Sequence, residues 1–285
     1  RQVYSIKQIT TASKTGIWYA NDPERLILQE KRNNKKQVYH FLLGDPGMSN
    51  YNDKVIKELA PENINTIKKW NKGFIEPLSK EEAETLLRLS SIIGDLWEKQ
   101  IELRRLVEKR TADKLSVYGK EDDGEYEPSS IRQKDAIYRE IYKSEEQLNA
   151  GPYARLKLAM DYWCSLWFWP IDKAEMLPTR QEYLWEMSLI LEGGIVSVQP
   201  NRQHSIFESE QEQEFTSKFG GLGVVNLDKL CEELPRLTLV KKISKQHMFL
   251  HWELEFADLF AVQSGFDIII GNPPYSKKKI PLHIM

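Results

Sequence analysis

The strongest constraint on the fold is a series of apolar residues at helical spacing that follows Ser79. Glu82 comes three positions after Ser79, and such a pair is the signature of a capping box at a helix N-terminus. The pattern continues over about thirty residues, without the sustained heptads of a coiled coil. Its apolar positions are Leu86, Leu89, Ile93, Leu96, Leu103, Leu106 and Val107. We therefore predict one long helix that begins at Ser79.

More helices are predicted after the long one. A second helix should start at Ser129 or Ser130, and a third, rich in aromatic residues, near Tyr153. Gly151 and Pro152 separate these two helices. The three helices suggest an antiparallel hairpin whose last arm packs into a core. Two further helices are expected at residues 178–191 and 227–234.

The chain before the long helix has a mixed pattern. Residues 38–43 have strand composition and are closed by the turn residues 44–47, and a helix should run from Asp53 to Pro61. The expected fold class is mixed α/β and mostly helical. The expected division is a mixed segment at 1–78, a helical spacer at 79–192, a polar linker with a short helix at 193–250, and a motif-bearing unit at 251–285.

The motif is Asn272-Pro273-Pro274-Tyr275, which follows the apolar run 266–271. Three consecutive isoleucines favour a short buried strand, and a glycine with two prolines ends it. The Asn side-chain oxygen and the carbonyl of the first proline can both accept hydrogen bonds from one amino group. The aromatic ring can stack on a planar base taken out of a duplex. This arrangement suits chemistry on an exocyclic amine.

Two other groups of residues have spacings that resemble binding sites. Residues 219–223 fit a Gly-rich cofactor loop, but the preceding residues are polar and predict no strand, so a turn is the preferred interpretation. His247 and His251 are four residues apart, which would suit a metal only on a helix with a third ligand. We assign no metal ligand and no cofactor-binding residue from the sequence.

Aromatic residues and cysteines are expected in the interior. Trp163, Trp167, Phe168 and Trp169 could stack on bases, but their crowding on one helical segment favours core packing. Cys164 and Cys231 are the only cysteines, too few for a disulfide scaffold. We expect both to be buried free thiols.

The charge of the chain is balanced, with 40 basic and 42 acidic residues and a net charge of −2. Proteins that bind DNA tightly through phosphates usually have a basic excess, so any DNA contact should be a local patch. The absence of a signal peptide and of a long apolar run predicts a cytoplasmic protein without membrane contact. The start at Arg1 and the end shortly after the motif suggest a fragment.

The motif and the residues before it resemble large adenine-specific DNA methyltransferases. These are the type IIG restriction–modification enzymes and the phage-defence methylases of the BREX and DISARM kind. The resemblance rests on three blocks, of which the last is the most specific. They are His251-Trp252-Glu253-Leu254-Glu255-Phe256, then Ala257-Asp258-Leu259-Phe260, then Gly265-Phe266-Asp267-Ile268-Ile269-Ile270-Gly271-Asn272-Pro273-Pro274-Tyr275. Residues 160–170 and 177–179 also look like the spacer before this motif, and the resemblance extends back to Asp45.

The resemblance implies roles for the motif residues. Asn272 and the carbonyl of Pro273 would bind the adenine amine, Pro274 belongs to the same rigid turn, and Tyr275 would stack on the flipped base. The methyl donor would be S-adenosyl-L-methionine, and catalysis would be mainly positioning and desolvation. The partners implied are double-stranded DNA, the remainder of the parent methyltransferase and other defence-system subunits. The motif unit would begin the second part of a Rossmann-like sheet.

The resemblance also leaves one part of such enzymes without a match. Asp45-Pro46-Gly47 shares only its first letters with the family's cofactor loop and lacks the later glycines. We therefore expect the cofactor loop to lie outside this chain and the fragment alone to be inactive. The alternative is a non-enzymatic helical interaction or scaffold module of a defence complex, in which the Pro-Pro turn is incidental.

Overall fold

A computed structural model describes residues 2–10, 18–26, 32–112, 130–192, 226–263 and 265–271. Within these ranges the protein is mostly helical. The helices are α1 (Ile6–Thr10), α2 (Lys54–Leu59), α3 (Pro61–Phe74), α4 (Lys80–Thr111), α5 (Ile131–Tyr142), α6 (Glu145–Ala150), α7 (Pro152–Ser165), α8 (Arg180–Glu192), α9 (Leu227–Glu233), α10 (Pro235–His247), α11 (Trp252–Glu255) and α12 (Ala257–Val262). Short 3-10 helices cover Trp18–Ala20, His40–Leu42 and Ile171–Met176.

The described strands form one small antiparallel sheet in the order β2-β1-β3. The strands are β1 (Gln2–Ser5), β2 (Glu24–Arg25) and β3 (Gln37–Tyr39). Val3 pairs with Tyr39 on one side and with Glu24 on the other. The predicted strand at 38–43 is therefore right only for Val38 and Tyr39, because the chain turns into a 3-10 helix at His40.

The long helix confirms the main prediction from sequence. Ser79 accepts a hydrogen bond from the Glu82 backbone, and the Glu82 side chain accepts one from the Ser79 backbone. Leu86, Leu89 and Ile93 are fully buried on one face of α4. Helix α5 starts at Ser130, one of the two predicted positions, and the structure shows a second capping box there. The last arm of the predicted hairpin, α7, is packed into the core.

Two of the helices that the sequence did not predict, α3 and α10, begin with a proline. Pro61 was expected to end α2, but it is also the first residue of α3, and Pro235 likewise starts α10. Proline is favoured at the first helical position because its fixed φ suits the helix and no backbone donor is lost there. The predicted helices at 178–191 and 227–234 are present as α8 and α9.

One continuous core joins the small sheet to the helices. Tyr183 on α8 donates a hydrogen bond to the Phe41 carbonyl, and Ser90 on α4 accepts one from the Tyr39 backbone. Trp163 on α7 donates to the Leu43 carbonyl at 2.8 Å. Buried polar groups need such partners, so these bonds fix how the sheet sits on the helices.

A buried ionic group holds α10 against α8. Arg236 Nη1 lies 2.5 Å from the Glu186 carboxylate, which also accepts a hydrogen bond from the Tyr162 hydroxyl. Burial raises the pKa of Glu186 above its ordinary value, although Arg236 and the Tyr162 hydroxyl act against this change. The contact matters for the site because α10 leads directly into His251 and α11.

Candidate functional site

The segment that approaches the motif consists of His251, α11, α12 and an irregular stretch that runs to Gly271. Leu254 and Ala257 are its buried anchors, at 0% and 4% exposure. The four motif residues themselves, 272–275, lie outside the described part of the chain. Their roles stay predictions, and the structure bears on them only through the segment that leads to them.

Asp161 is the centre of a buried polar cluster that holds the start of this segment. Its carboxylate accepts hydrogen bonds from Lys157 Nζ, Ser244 Oγ and His251 Nε2, each at 2.7 Å. Burial alone would raise the pKa of Asp161, but the three hydrogen bonds hold this pKa below its ordinary value. The cluster joins α7, α10 and the residue that precedes α11.

Two further contacts connect the approach segment to the helical spacer. The Tyr153 hydroxyl on α7 donates to Glu255 Oε1 at 2.5 Å. Arg104 Nε on α4 lies 2.5 Å from Asp258 Oδ1 on α12. Burial, together with the neighbouring Glu255 carboxylate, raises the pKa of Tyr153. Residues separated by 102 and 154 positions in the sequence therefore meet at α11 and α12.

An aromatic cluster holds the chain after α12. The Phe266 ring packs edge-on against Trp252, Phe256 and Phe260, with centroid distances of 5.8, 5.1 and 5.6 Å. Trp252 also stacks on Phe256 at 6.0 Å. Edge-on contacts are a favoured geometry for aromatic rings. Phe266 is thus fixed on α11 and α12, only a few residues before the motif.

The predicted buried strand at 266–271 is wrong for the described residues. They form bends and irregular chain, and Ile268, Ile269 and Ile270 are 77%, 81% and 93% exposed. A strand is stabilised by pairing with a neighbouring strand, and the described sheet lies at the other end of the chain. Local β propensity does not supply that partner.

The turn at Asp45-Pro46-Gly47 does not fit a cofactor cradle. Asp45 Oδ1 accepts a hydrogen bond from the Gly47 backbone at 2.7 Å, so its carboxylate serves the turn itself. A Cβ at Gly47 would lie 2.7 Å from the Trp167 ring, which fills the space over the glycine. The turn is a packing element. The second Gly-rich candidate, residues 219–223, lies outside the described residues.

The two histidines considered as metal ligands have other neighbours. His251 pairs with Asp161, whereas the His247 ring lies 4.5 Å from Phe168 and 5.8 Å from Phe249. Within the described ranges no group of three or more His, Cys, Asp or Glu side chains is placed to hold a metal ion.

The predicted interior aromatic residues mostly lie in the core. Trp169 is fully buried, and Trp163 and Trp167 pack against the core with their centroids 5.7 Å apart. Phe168 differs, at 48% exposure, because it lies in the turn after α7. Both cysteines are free, as expected. Cys231 is buried, Cys164 is only partly so, and burial raises the pKa of the Cys164 thiol to about 12.

Comparison with known families supports the resemblance. A family model described as Eco57I restriction-modification methylase matches residues 109–281. The match covers more than half of the chain and includes α5 to α12 and the four motif positions. It defines a methyltransferase of the restriction–modification class. The chain belongs to the Eco57I restriction-modification methylase family. No curated protein and no solved structure gives a significant match.

The polar contacts of the approach segment were missed at the sequence level. Asp161 had a usable signal, since it is the only acidic residue in the largely apolar stretch 156–168 and must find partners when buried. Trp252, Phe256 and Phe260 recur every four residues, which predicts one aromatic helical face. The partners of the polar and aromatic residues lie far away in the sequence and could not be assigned.

None of the described helices is long and apolar enough to span a membrane.

Proposed function

We propose that the chain is part of a site-specific DNA adenine-N6 methyltransferase of a restriction–modification or phage-defence system. The observation that carries this proposal is the sequence Asn272-Pro273-Pro274-Tyr275 within the range matched by the Eco57I restriction-modification methylase family. The family supports methyl transfer. The motif chemistry supports an exocyclic amine as the acceptor.

The proposed chemistry assigns one task to each motif residue. The Asn272 side-chain oxygen and the Pro273 carbonyl accept the two hydrogens of the adenine amine and hold its lone pair in one direction. Pro273 and Pro274 have fixed φ angles, so the turn is rigid before the base arrives. Tyr275 stacks on the flipped base and keeps water from one of its faces. The rate enhancement comes from positioning, without a covalent intermediate.

S-adenosyl-L-methionine is the proposed methyl donor, and the family is what supports it. The Asp45-Pro46-Gly47 turn does not fit such a group, because Trp167 fills the space over Gly47 and Asp45 bonds to the turn itself. Duplex DNA is the proposed substrate. With a net charge of −2, we propose that the remainder of the parent methyltransferase supplies most phosphate contacts. Other defence-system subunits are further proposed partners.

The product of the reaction tests the proposal. The methyltransferase that carries this chain is incubated with duplex DNA and S-adenosyl-L-methionine labelled in its methyl group, and the hydrolysed nucleosides are analysed by mass spectrometry. We expect the label in N6-methyladenosine (as the deoxynucleoside) and none in methylated cytosines. Label found only in a cytosine product would contradict the adenine assignment. Reactions without enzyme give the background.

A further inference from the structure

Three polar contacts connect the helical spacer to the segment that approaches the motif. We call them the spacer contacts: Asp161 with His251, Tyr153 with Glu255, and Arg104 with Asp258. They originate from two different helices, α7 and α4. They reach three successive points of the approach segment, namely the residue before α11, the end of α11 and the start of α12.

The His251 contact is more than a local helix cap. His251 is the N-cap residue of α11, yet its side chain makes no capping hydrogen bond to that helix. It bonds instead to Asp161, ninety residues away in the sequence, and both side chains are about nine-tenths buried. Leaving a buried polar group without its hydrogen-bond partner is unfavourable. The contact therefore holds the approach segment in one position on α7.

Aromatic contacts link the position of α11 and α12 to the residues just before the motif. Trp252 on α11, Phe256 between the two helices and Phe260 on α12 pack around the Phe266 ring. Five residues after Phe266 the chain reaches Gly271, which directly precedes Asn272. A rotation of α11 and α12 on the spacer would therefore move the point from which the chain enters the motif.

We propose that Arg104, Tyr153 and Asp161 are positioning residues for methyl transfer, acting through α11 and α12 on the placement of the Asn272 turn. The inference rests on the proposed function. Under it, the helical spacer contributes to the rate of the reaction and is more than a connection between parts of the enzyme. A misplacement of reacting groups by about 1 Å can cost about a hundredfold in rate, so small movements at these contacts are sufficient.

The Arg104–Asp258 pair allows a charge-swap test in the methyltransferase that carries this chain. Both side chains are about one-quarter exposed, so reversed charges remain in contact with water. Arg104→Asp and Asp258→Arg should each lower kcat about ten- to a hundredfold, with the Kd for S-adenosyl-L-methionine and the melting temperature little changed. The double variant restores the pair in the opposite sense and should return kcat to within about threefold of wild type.

The matched control is the Lys241–Asp228 pair, which joins α10 and α9 at 2.7 Å and includes no residue of the approach segment. Lys241→Asp, Asp228→Lys and their double variant should leave kcat within about twofold of wild type. Wild-type kcat in both Arg104 and Asp258 single variants would overturn the inference. So would a double variant that stays as slow as the single variants.

A second pair of residues tests whether the spacer contacts affect kcat if the charge variants do not fold. Tyr153→Phe removes only the hydroxyl that donates to Glu255, whereas Glu255→Gln keeps an acceptor oxygen for it. We expect a lower kcat for Tyr153→Phe and near wild-type kcat for Glu255→Gln, at similar melting temperatures. Unchanged kcat in Tyr153→Phe would contradict the inference. Asn272→Ala in the same assay separates the two proposals: activity in that variant would count against the proposed function itself.

Discussion

Asp161 lies where three parts of the chain meet, and it shows how a single buried carboxylate can organise a site. It accepts hydrogen bonds from Lys157, from Ser244 and from His251. A buried charge is tolerated when it is paired and its lone pairs are satisfied, and both conditions are met here. Its removal should therefore affect stability as well as the placement of α11.

We predict that Asp161→Asn lowers the free energy of unfolding by about 3 kcal/mol at pH 7, because the Lys157 ammonium loses its charged partner. The pKa of Asp161 is lower in the folded state than its ordinary value. Its carboxylate therefore stabilises the fold at neutral pH, and this contribution is lost as the pH falls through the folded-state pKa. Urea unfolding of both proteins at several pH values measures the difference.

The difference between wild type and Asp161→Asn should shrink in acid, below about pH 4. Asp135→Asn is the control, since Asp135 is exposed on α5, and this change should alter stability by less than about 0.5 kcal/mol at every pH. A constant difference between wild type and Asp161→Asn from neutral to acid pH would show that the charge of Asp161 does not stabilise the fold.

At the scale of elements, local signals predicted helices well and strands poorly. The capping box at Ser79 located the start of α4 to the residue, because capping depends on a neighbour three positions away, and the start of α5 was predicted to within one residue. Prolines at 61 and 235 were interpreted only as helix ends, although proline is also favoured at helix starts. Whether residues 266–271 form a strand depends on a pairing partner, which local sequence does not specify.

The Ser79 capping box should contribute measurably to the stability of α4. We predict that Ser79→Ala lowers the free energy of unfolding by about 1 kcal/mol, because the Glu82 backbone N–H loses its acceptor. Glu84→Ala, at an exposed position of the same helix, serves as the control and should change stability by less than about 0.5 kcal/mol. Equal effects of the two changes in urea unfolding would argue against the capping contribution.

At the scale of the whole molecule, the spacer and the approach segment form one packed unit. Leu254 belongs to the same buried core as Val3 and Leu86, so α11 is packed with the rest of the described fold. The sequence predicted the helical content and the family, because both depend on local patterns and short motifs. The contacts that hold the approach segment join Arg104 with Asp258 and Asp161 with His251, over distances that no local pattern encodes.

The central claim is that Asn272 holds the amine of the target adenine, and one pair of variants tests it directly. Asn272→Ala and the control Asn52→Ala, at an exposed loop position, are compared in the methyltransferase that carries this chain. The measurements are labelled methyl transfer to DNA and the Kd for S-adenosyl-L-methionine. We predict that Asn272→Ala lowers transfer at least about a hundredfold with Kd unchanged, while Asn52→Ala behaves as wild type. Wild-type methyl transfer by Asn272→Ala would contradict the account.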